Sequence, residues 1–299
     1  MSQALFTLAT FCILLYNMVM KVKVFAKINL SLNVVGVMEG YHLLDALTTS
    51  VDLFDQVEVS LRHDGNVNVY GMDIPMQSNV AYKAAQRFFA EFGGSGCDVT
   101  ITKGIPFSQG VGGSSADASA TIYCLAKLTG VDLHHPKIKS VCDAVGSDVF
   151  FMLHGGLGLI TNRSDVQHLD YVPCYLCLTT FCHQSDTAKV FSAYDKLSNG
   201  SCVNNAKVVD ALKNGCWEVA NSLCFNALQQ ANASLSNYAN EYLSFCNANG
   251  LKTTMTGSGS AYFILCNSHQ HAKNLADSLQ EAGFFTVVCQ TQPVGIVEQ

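Results

Sequence analysis

A lysine, a carboxylate and two glycine-serine turns are the parts of this 299-residue chain whose types and spacing suit chemistry on an anion. The first turn, GVGGSSADASA, runs from Gly110 through Val111, Gly112, Gly113, Ser114 and Ser115 into an apolar, helix-forming run. Glycine lets backbone approach a ligand closely. Ser114 or Ser115 can cap the following helix, whose N-terminus presents unpaired N–H groups at the positive end of its dipole. Such a loop can hold a phosphate without a basic side chain, or it can be no more than a tight strand-to-helix connection. It is not a P-loop, because no Gly-Lys-Ser/Thr follows, and its glycine spacing is not that of a dinucleotide-binding fold. The second turn, Gly257, Ser258 and Gly259 in MTGSGSAYF, reads equally as an ordinary hairpin. Lys27 lies in a strand-like stretch. Asp148 follows Gly146, as a turn residue or as a carboxylate at a strand start beside a cleft.

Elements must hold these residues in place. From Val22 to Val34 apolar and polar residues alternate, which predicts a strand with one buried face. Lys27, Asn29 and Ser31 share the opposite face. GVMEGYH is a turn, TTSVDLFDQVEVSLR one or two strands, and NVNVYG another. SNVAYKAAQRFFAEFG is an amphipathic helix capped by Ser78 or Asn79 and stopped by Gly93. CDVTITKGIPF is a strand leading into the glycine loop, and the next helix stops at Gly130. PKIKSVCDAVG is a short helix, and SDVFFMLHGGLGLIT returns to strand and turn. Further on, DYVPCYLCLTTF is a strand, and TAKVFSAYDKL, AKVVDALKNG, EVANSLCFNALQQA and NYANEYLSFCNANG are helices. LKTTMTGSGSAYFILC is strand, turn, strand; HQHAKNLADSLQEAG is a helix and FFTVVCQTQPVG a closing strand. Strands and helices mix in both halves, so the expected class is α+β with two lobes, 20–163 and 164–299, and a ligand cleft between them.

Composition limits the partners. Hydrophobic residues make up 49% of the chain, enough for a sizeable core. Only 17 residues are basic and the net charge is −6, so a nucleic acid is excluded as the main partner, whereas a small anion is not. The 13 cysteines follow no disulfide framework and read as reduced core thiols of a cytoplasmic protein. Cys174 and Cys177, three apart on a strand, point to opposite faces and chelate poorly. The histidine pairs His134–His135 and His269–His271 lack acidic or thiol neighbours and read as surface residues; no metal site is expected from protein ligands. Residues 1–19 are apolar and uncharged but lack the basic start of a signal peptide and the arginines of a transit peptide. They read as residues ahead of a translation start at Met18 or Met20, or as an unexplained N-terminal extension, rather than as a membrane anchor.

The combination is more specific than its parts. AKINLSL (Ala26–Leu32), GYHLLDALTTSVDLFD (Gly40–Asp55), the glycine loop, GSDVFF (Gly146–Phe151) and MTGSGSAYF occur in an order that resembles the GHMP kinase superfamily, from about Met20 to the C-terminus. Within it the resemblance is to kinases of 4-diphosphocytidyl-2-C-methyl-D-erythritol in the non-mevalonate isoprenoid pathway. The resemblance implies a ribosomal-protein-S5-like N-terminal lobe and a ferredoxin-like C-terminal lobe. It also implies ATP as co-substrate with Mg²⁺ held through its phosphates, and a small-molecule acceptor carrying cytidine diphosphate; a monomer and a homodimer both fit. Asp148 matches the aspartate that takes the proton from the substrate hydroxyl, and Lys27 the lysine beside it. Gly110 to Ser115 would wrap the ATP phosphates, with Asn79 and Lys103 near adenine and ribose. Tyr41 and His42 match the pair that holds the cytosine, Phe191 the aromatic on its other side, with Thr187 nearby. Gly257, Ser258 and Gly259 would form the floor. The other readings are a homoserine or mevalonate kinase, opposed by GYH and Phe191, and a non-catalytic nucleotide-binding paralogue, opposed by Lys27 and Asp148. Where the family writes GADVPFF, this chain has no proline after Val149, which bears on the turn that carries Asp148.

Overall fold

The computed structural model describes residues 19–182, 185–197 and 202–299; most of the apolar N-terminal extension lies outside them. Strands β1 (Val19–Met38) and β2 (Tyr41–Leu61) form one long antiparallel hairpin. Glu39 and Gly40 join them with φ of 51° and 79°, the two-residue turn whose twist matches that of the strands. β3 (Val67–Tyr70), α1 (Val80–Phe92) and β4 (Cys97–Thr102) follow. The glycine loop leads into α2 (Gly113–Thr129), then α3 (Pro136–Val145), α4 (Val149–His154), β5 (Leu157–Asn162) and β6 (Asp165–Leu169). The second half runs β7 (Tyr175–Thr179), α5 (Thr187–Tyr194), α6 (Asn205–Lys213), α7 (Trp217–Leu223), β8 (Phe225–Asn226), α8 (Gln229–Leu235) and α9 (Asn237–Ala248). It closes with β9 (Thr254–Met255), β10 (Tyr262–Cys266), α10 (His269–Glu281), β11 (Thr286–Gln292) and β12 (Ile296–Glu298).

Local chemistry accounts for most of these boundaries. Asn79 caps α1, its Oδ1 accepting from Ala81 N–H at 2.9 Å, and Gly93 ends it. α2 is buried almost all round, from Ala116 to Leu128. Its small residues let it pack between the β1–β2 sheet, α1 and α4, as an apolar helix of this kind must. Three sequence expectations change. SDVFF is the head of helix α4 rather than a strand, and Asp148 occupies its N-cap position without a side-chain capping bond. Phe150 then sits in the first turn, where a proline's missing N–H would break no helical hydrogen bond. EVANSLCFNALQQA breaks into α7, β8 and α8, because Phe225 and Asn226 extend to pair with Ser31 and Leu32 of β1.

β1 is the third change. From Phe25 to Asn33 both of its faces are buried. The register also shifts between Asn29 and Ser31, a β-bulge. Ser31 thereby turns away from Lys27 and Asn29 and donates its hydroxyl to Asn205 on α6. Leu32 takes the place on the cleft side.

One hydrogen-bonded path, β12-β1-β2-β11-β7-β10-β9, runs through both halves. β11 is the joint: Thr286–Gln290 pair with β7, while Thr291 and Gln292 pair with Val51 and Ser50 of β2. Just beyond it, the Gly295 carbonyl accepts from Phe25 N–H at 2.8 Å and the Gly295 N–H donates to the His154 carbonyl at 2.8 Å. This residue therefore ties the strand that carries Lys27 to the helix headed by Asp148. A Cβ at Gly295 would lie 2.0 Å from the Met152 carbonyl oxygen. Among the described residues no helix is long and apolar enough to cross a membrane.

Two expectations can be measured. Gly295→Val should destabilise the fold by about 2–3 kcal/mol, the cost of forcing bulk into a packed contact, read as a lower chemical-denaturation midpoint. At the other end of α4, burial among Phe150, His134 and His168 pushes His154 down from 6.5 to about 4. The folded state thus resists protonation, and its contribution is complete above pH 6.5 and lost as pH falls toward 4. The thermal midpoint should fall over that window, and less steeply in His154→Gln.

Candidate functional site

A cleft of about 400 Å³ opens where the glycine loop, the second glycine-serine turn, β1 and the head of α4 converge. Lys27 projects into it from β1, 4% exposed, with Nζ 3.4 Å from Asp148 Oδ2. Nζ also donates to Asn29 Oδ1 at 2.6 Å. That carboxamide oxygen accepts a second bond from Gly257 N–H at 3.0 Å, and the Asn29 amide nitrogen donates to Thr48 Oγ1 at 2.8 Å. The backbone N–H of Asn29 reaches Thr256 Oγ1 at 2.9 Å. One residue thus sets the Lys27 ammonium, the β2 strand and the second glycine turn relative to one another.

The glycine loop is anchored to the same strand by Lys27 N–H to Val111 O at 3.0 Å. Val111 faces the core; Gly110, Gly112, Gly113, Ser114 and Ser115 line the cleft. The N-cap of α2 is Gly112, with φ 80° and no side-chain cap, rather than Ser114 or Ser115, which lie inside its first turn. Glycine is required there twice over. The conformation is left-handed, and a Cβ would lie 2.9 Å from Lys27 Cγ and 2.8 Å from Met152 Sδ. The first helical bond is Ala116 N–H to Gly112 O at 2.8 Å, so the amides of residues 113–115 lie ahead of the ladder at the cleft. The loop is fastened to the other turn by Ala261 N–H to Gln109 O at 3.0 Å and by Thr256 Oγ1 to Gly110 O at 3.4 Å.

On the far side Gly257, Ser258 and Gly259 line the cleft with Thr187 and Phe191 of α5. Thr187 Oγ1 and Ser258 Oγ share a hydrogen bond of 2.7 Å. Asn232 of α8 steadies this corner, donating to Ser185 Oγ at 2.8 Å and to Ser258 O at 3.1 Å.

The other residues singled out from sequence lie outside the lining. Asn79 caps α1. Lys103 is beneath the glycine loop, paired with Asp55 and Asp117, and stands 5.0 Å from the ring centre of Phe107, which does line the cleft. His42 stacks directly on Phe191, centroids 4.6 Å apart at 24°, and its Nε2 pairs with Asp195 Oδ1 at 2.7 Å. Tyr41 is exposed beneath the Arg163 guanidinium, 5.0 Å from its ring centre. Arg163, Phe107 and Gln109 carry no signal that sequence reading used. Asn29 did: a carboxamide among alternating residues beside Lys27 marks a buried polar position, yet it received no role. Among the described residues no group of three or more His, Cys, Asp or Glu is placed to hold a metal ion.

An ammonium beside a carboxylate at the head of a cleft, facing a row of free-ended helix amides, is suited to placing and neutralising a transferring phosphoryl group. Comparison with known proteins agrees. The model for the GHMP kinase N-terminal domain matches residues 79–156, and that for the GHMP kinase C-terminal domain matches 208–284. The chain is 31% identical over 279 residues to the 4-diphosphocytidyl-2-C-methyl-D-erythritol kinase of Desulfitobacterium hafniense (strain Y51), covering 91% of this chain and 95% of that one. A crystal structure of 4-(cytidine 5'-diphospho)-2C-methyl-D-erythritol kinase superposes with a TM-score of 0.77 at 25% identity, covering 91% of this chain and 99% of that one. Homoserine kinase from Cytophaga hutchinsonii shares the fold, with a TM-score of 0.70 at 19% identity over 94% of this chain and 97% of its own. The chain is an ATP-dependent small-molecule kinase of the GHMP superfamily and belongs to the family of the 4-diphosphocytidyl-2-C-methyl-D-erythritol kinases.

Proposed function

We propose that the chain transfers the γ-phosphoryl group of ATP to the 2-hydroxyl of 4-diphosphocytidyl-2-C-methyl-D-erythritol, as a cytoplasmic step of the non-mevalonate isoprenoid pathway. The observation that carries this reading is the Lys27–Asp148 pair at 3.4 Å, facing the glycine loop across one cleft. Asp148 takes the hydroxyl proton; the freed oxygen attacks the γ-phosphorus, the bond to the β-phosphate oxygen breaks, and ADP leaves. Lys27, held by Asn29, neutralises charge that develops on the transferring group. The amides of residues 113–115 take the phosphates, and Mg²⁺, held through those phosphates, would supply further neutralisation. Asn79 and Lys103 flank the adenine and ribose side.

The acceptor end of the cleft suits a cytidine diphosphate. Phe191 offers an aromatic face, with Thr187 beside it, and Tyr41 and His42 come from the facing hairpin. The His42 ring now covers that face of Phe191, so a base must displace it to stack there. Arg163, which lines the cleft next to Tyr41, brings a positive charge for the diphosphate. Gly257, Ser258 and Gly259 form the floor. Free cysteines at the exposed positions Cys182, Cys202 and Cys216 fit a reducing compartment.

The test is ADP release with the cytidylyl compound, mevalonate and homoserine offered separately. Turnover is expected with the first alone; turnover with another and not with it would overturn the substrate. Asp148→Asn should lower kcat by about 10³-fold while leaving the KM for ATP within about threefold, the pattern of a lost general base. Phe191→Ala should raise the KM for the cytidylyl compound about tenfold without moving that for ATP, in line with the loss of one stacking contact. EDTA should stop turnover and added Mg²⁺ restore it.

A further inference from the structure

Behind the glycine loop three charged side chains meet in the interior. Lys103 Nζ forms ion pairs with both Asp55 and Asp117, 2.9 Å from Asp117 Oδ2, and lies 3.4 Å from the Gly113 carbonyl at the start of α2. Asp55 is fully buried, and its Oδ1 accepts from the N–H groups of Gly104 at 2.7 Å and Ile105 at 2.8 Å. Asp117, in the second turn of α2, is 2% exposed, and its Oδ1 has no hydrogen-bond partner. One cation therefore serves two buried carboxylates, and one carboxylate oxygen is left bare. A bare oxygen on a buried ionised carboxylate carries a large desolvation cost. Burial, with Asp55 adding to it and Lys103 opposing, raises the Asp117 carboxyl to about 7.

The surroundings isolate this cluster. On β1 and at the head of α4, Lys27 and Asp148 pair with each other in the cleft. The charged residues of α1, Lys83, Arg87 and Glu91, are exposed. On α3, Lys139 pairs with Asp143 and Lys137 with Glu91. Lys103 and Asp55 are thus the charged groups that Asp117 faces. Its charge acts on the α2 N-terminus, where a negative group in the interior offsets the positive field of the amides at the cleft.

We propose that the Lys103–Asp55–Asp117 cluster sets the charge behind the phosphate cradle, with Asp117 holding a proton when the cradle is loaded. Phosphate binding and protonation of this interior carboxyl are then linked, each favouring the other. Lys103 and Asp117 act as positioning residues, through Gly113 and the helix end. The inference rests on the reading of Gly110–Ser115 as the site of the ATP phosphates.

The experiment measures the affinity for ATP with Mg²⁺ between pH 6 and 8 in the full chain and in Asp117→Asn. The unaltered protein should bind roughly tenfold more weakly at pH 8 than at pH 6, the change one linked proton gives. Protonation of the nucleotide itself would move affinity the other way. Asp117→Asn should hold the tight, low-pH affinity throughout. Parallel profiles for the two proteins would overturn the proposal. If Asp117→Asn does not fold, thermal stabilisation of the unaltered protein decides. ATP should raise the midpoint more at pH 6 than at pH 8 while adenosine raises it equally, and equal ATP shifts would overturn the proposal. Gly112→Val separates the two layers of inference: it should lose ATP affinity at every pH, and retained affinity would remove the cradle and the linkage with it.

Discussion

The site hangs on the side chain of Asn29. Its single carbonyl oxygen accepts from the Lys27 ammonium at 2.6 Å and from the Gly257 amide at 3.0 Å, and its nitrogen is held by Thr48 at 2.8 Å. At 3% exposure these bonds form out of water, where each geometry is strongly enforced and an unsatisfied partner is costly. The consequence reaches both halves of the chain. Lys27 belongs to the first long hairpin and Gly257 to the turn between β9 and β10, and the carboxamide fixes one against the other. The backbone contacts of Gly295 to Phe25 and His154 do the same for β1 and α4. The lysine and the aspartate face each other because the C-terminal segment returns to the sheet that carries the first.

A division of labour follows from this scaffold. At one end of the cleft lie the amides at the head of α2, backed by buried charge, and glycine at 112 allows Lys27 to come close. At the other end lie side chains: Phe191, His42, Tyr41 and Arg163 are aromatic or planar groups drawn from the hairpin, α5 and the β5–β6 turn. The two ends meet at Lys27 and Asp148. Helix amides suit any nucleoside triphosphate, so under the proposed function the discrimination between acceptors falls on the aromatic end. There, His42 paired with Asp195 rests on Phe191 at 4.6 Å.

Much of this was legible in the sequence. The alternation around Lys27 placed it opposite the core, and Asn79, Gly93 and Gly130 marked helix ends where capping chemistry puts them. What escaped was decided at longer range. The bulge after Asn29 turns Ser31 toward Asn205 and Leu32 toward the cleft, a flip that no local period of two contains. Val149 to His154 looks like a strand by composition, yet it becomes a short helix because Gly155 and Gly295 let the chain pass within packing distance. Lys103 reads as a ligand contact in the strand before the loop; that it also pairs with two aspartates far apart in the chain is set by tertiary packing and shows in no local pattern. Arg163 enters the cleft from a turn with no motif of its own.

The account is tested most directly by ³¹P NMR of the chain incubated with ATP, Mg²⁺ and 4-diphosphocytidyl-2-C-methyl-D-erythritol. A new phosphomonoester resonance should appear as the ATP signals give way to those of ADP, with the acceptor's diphosphate intact. Inorganic phosphate in place of the phosphomonoester, or a cleaved diphosphate, would contradict it.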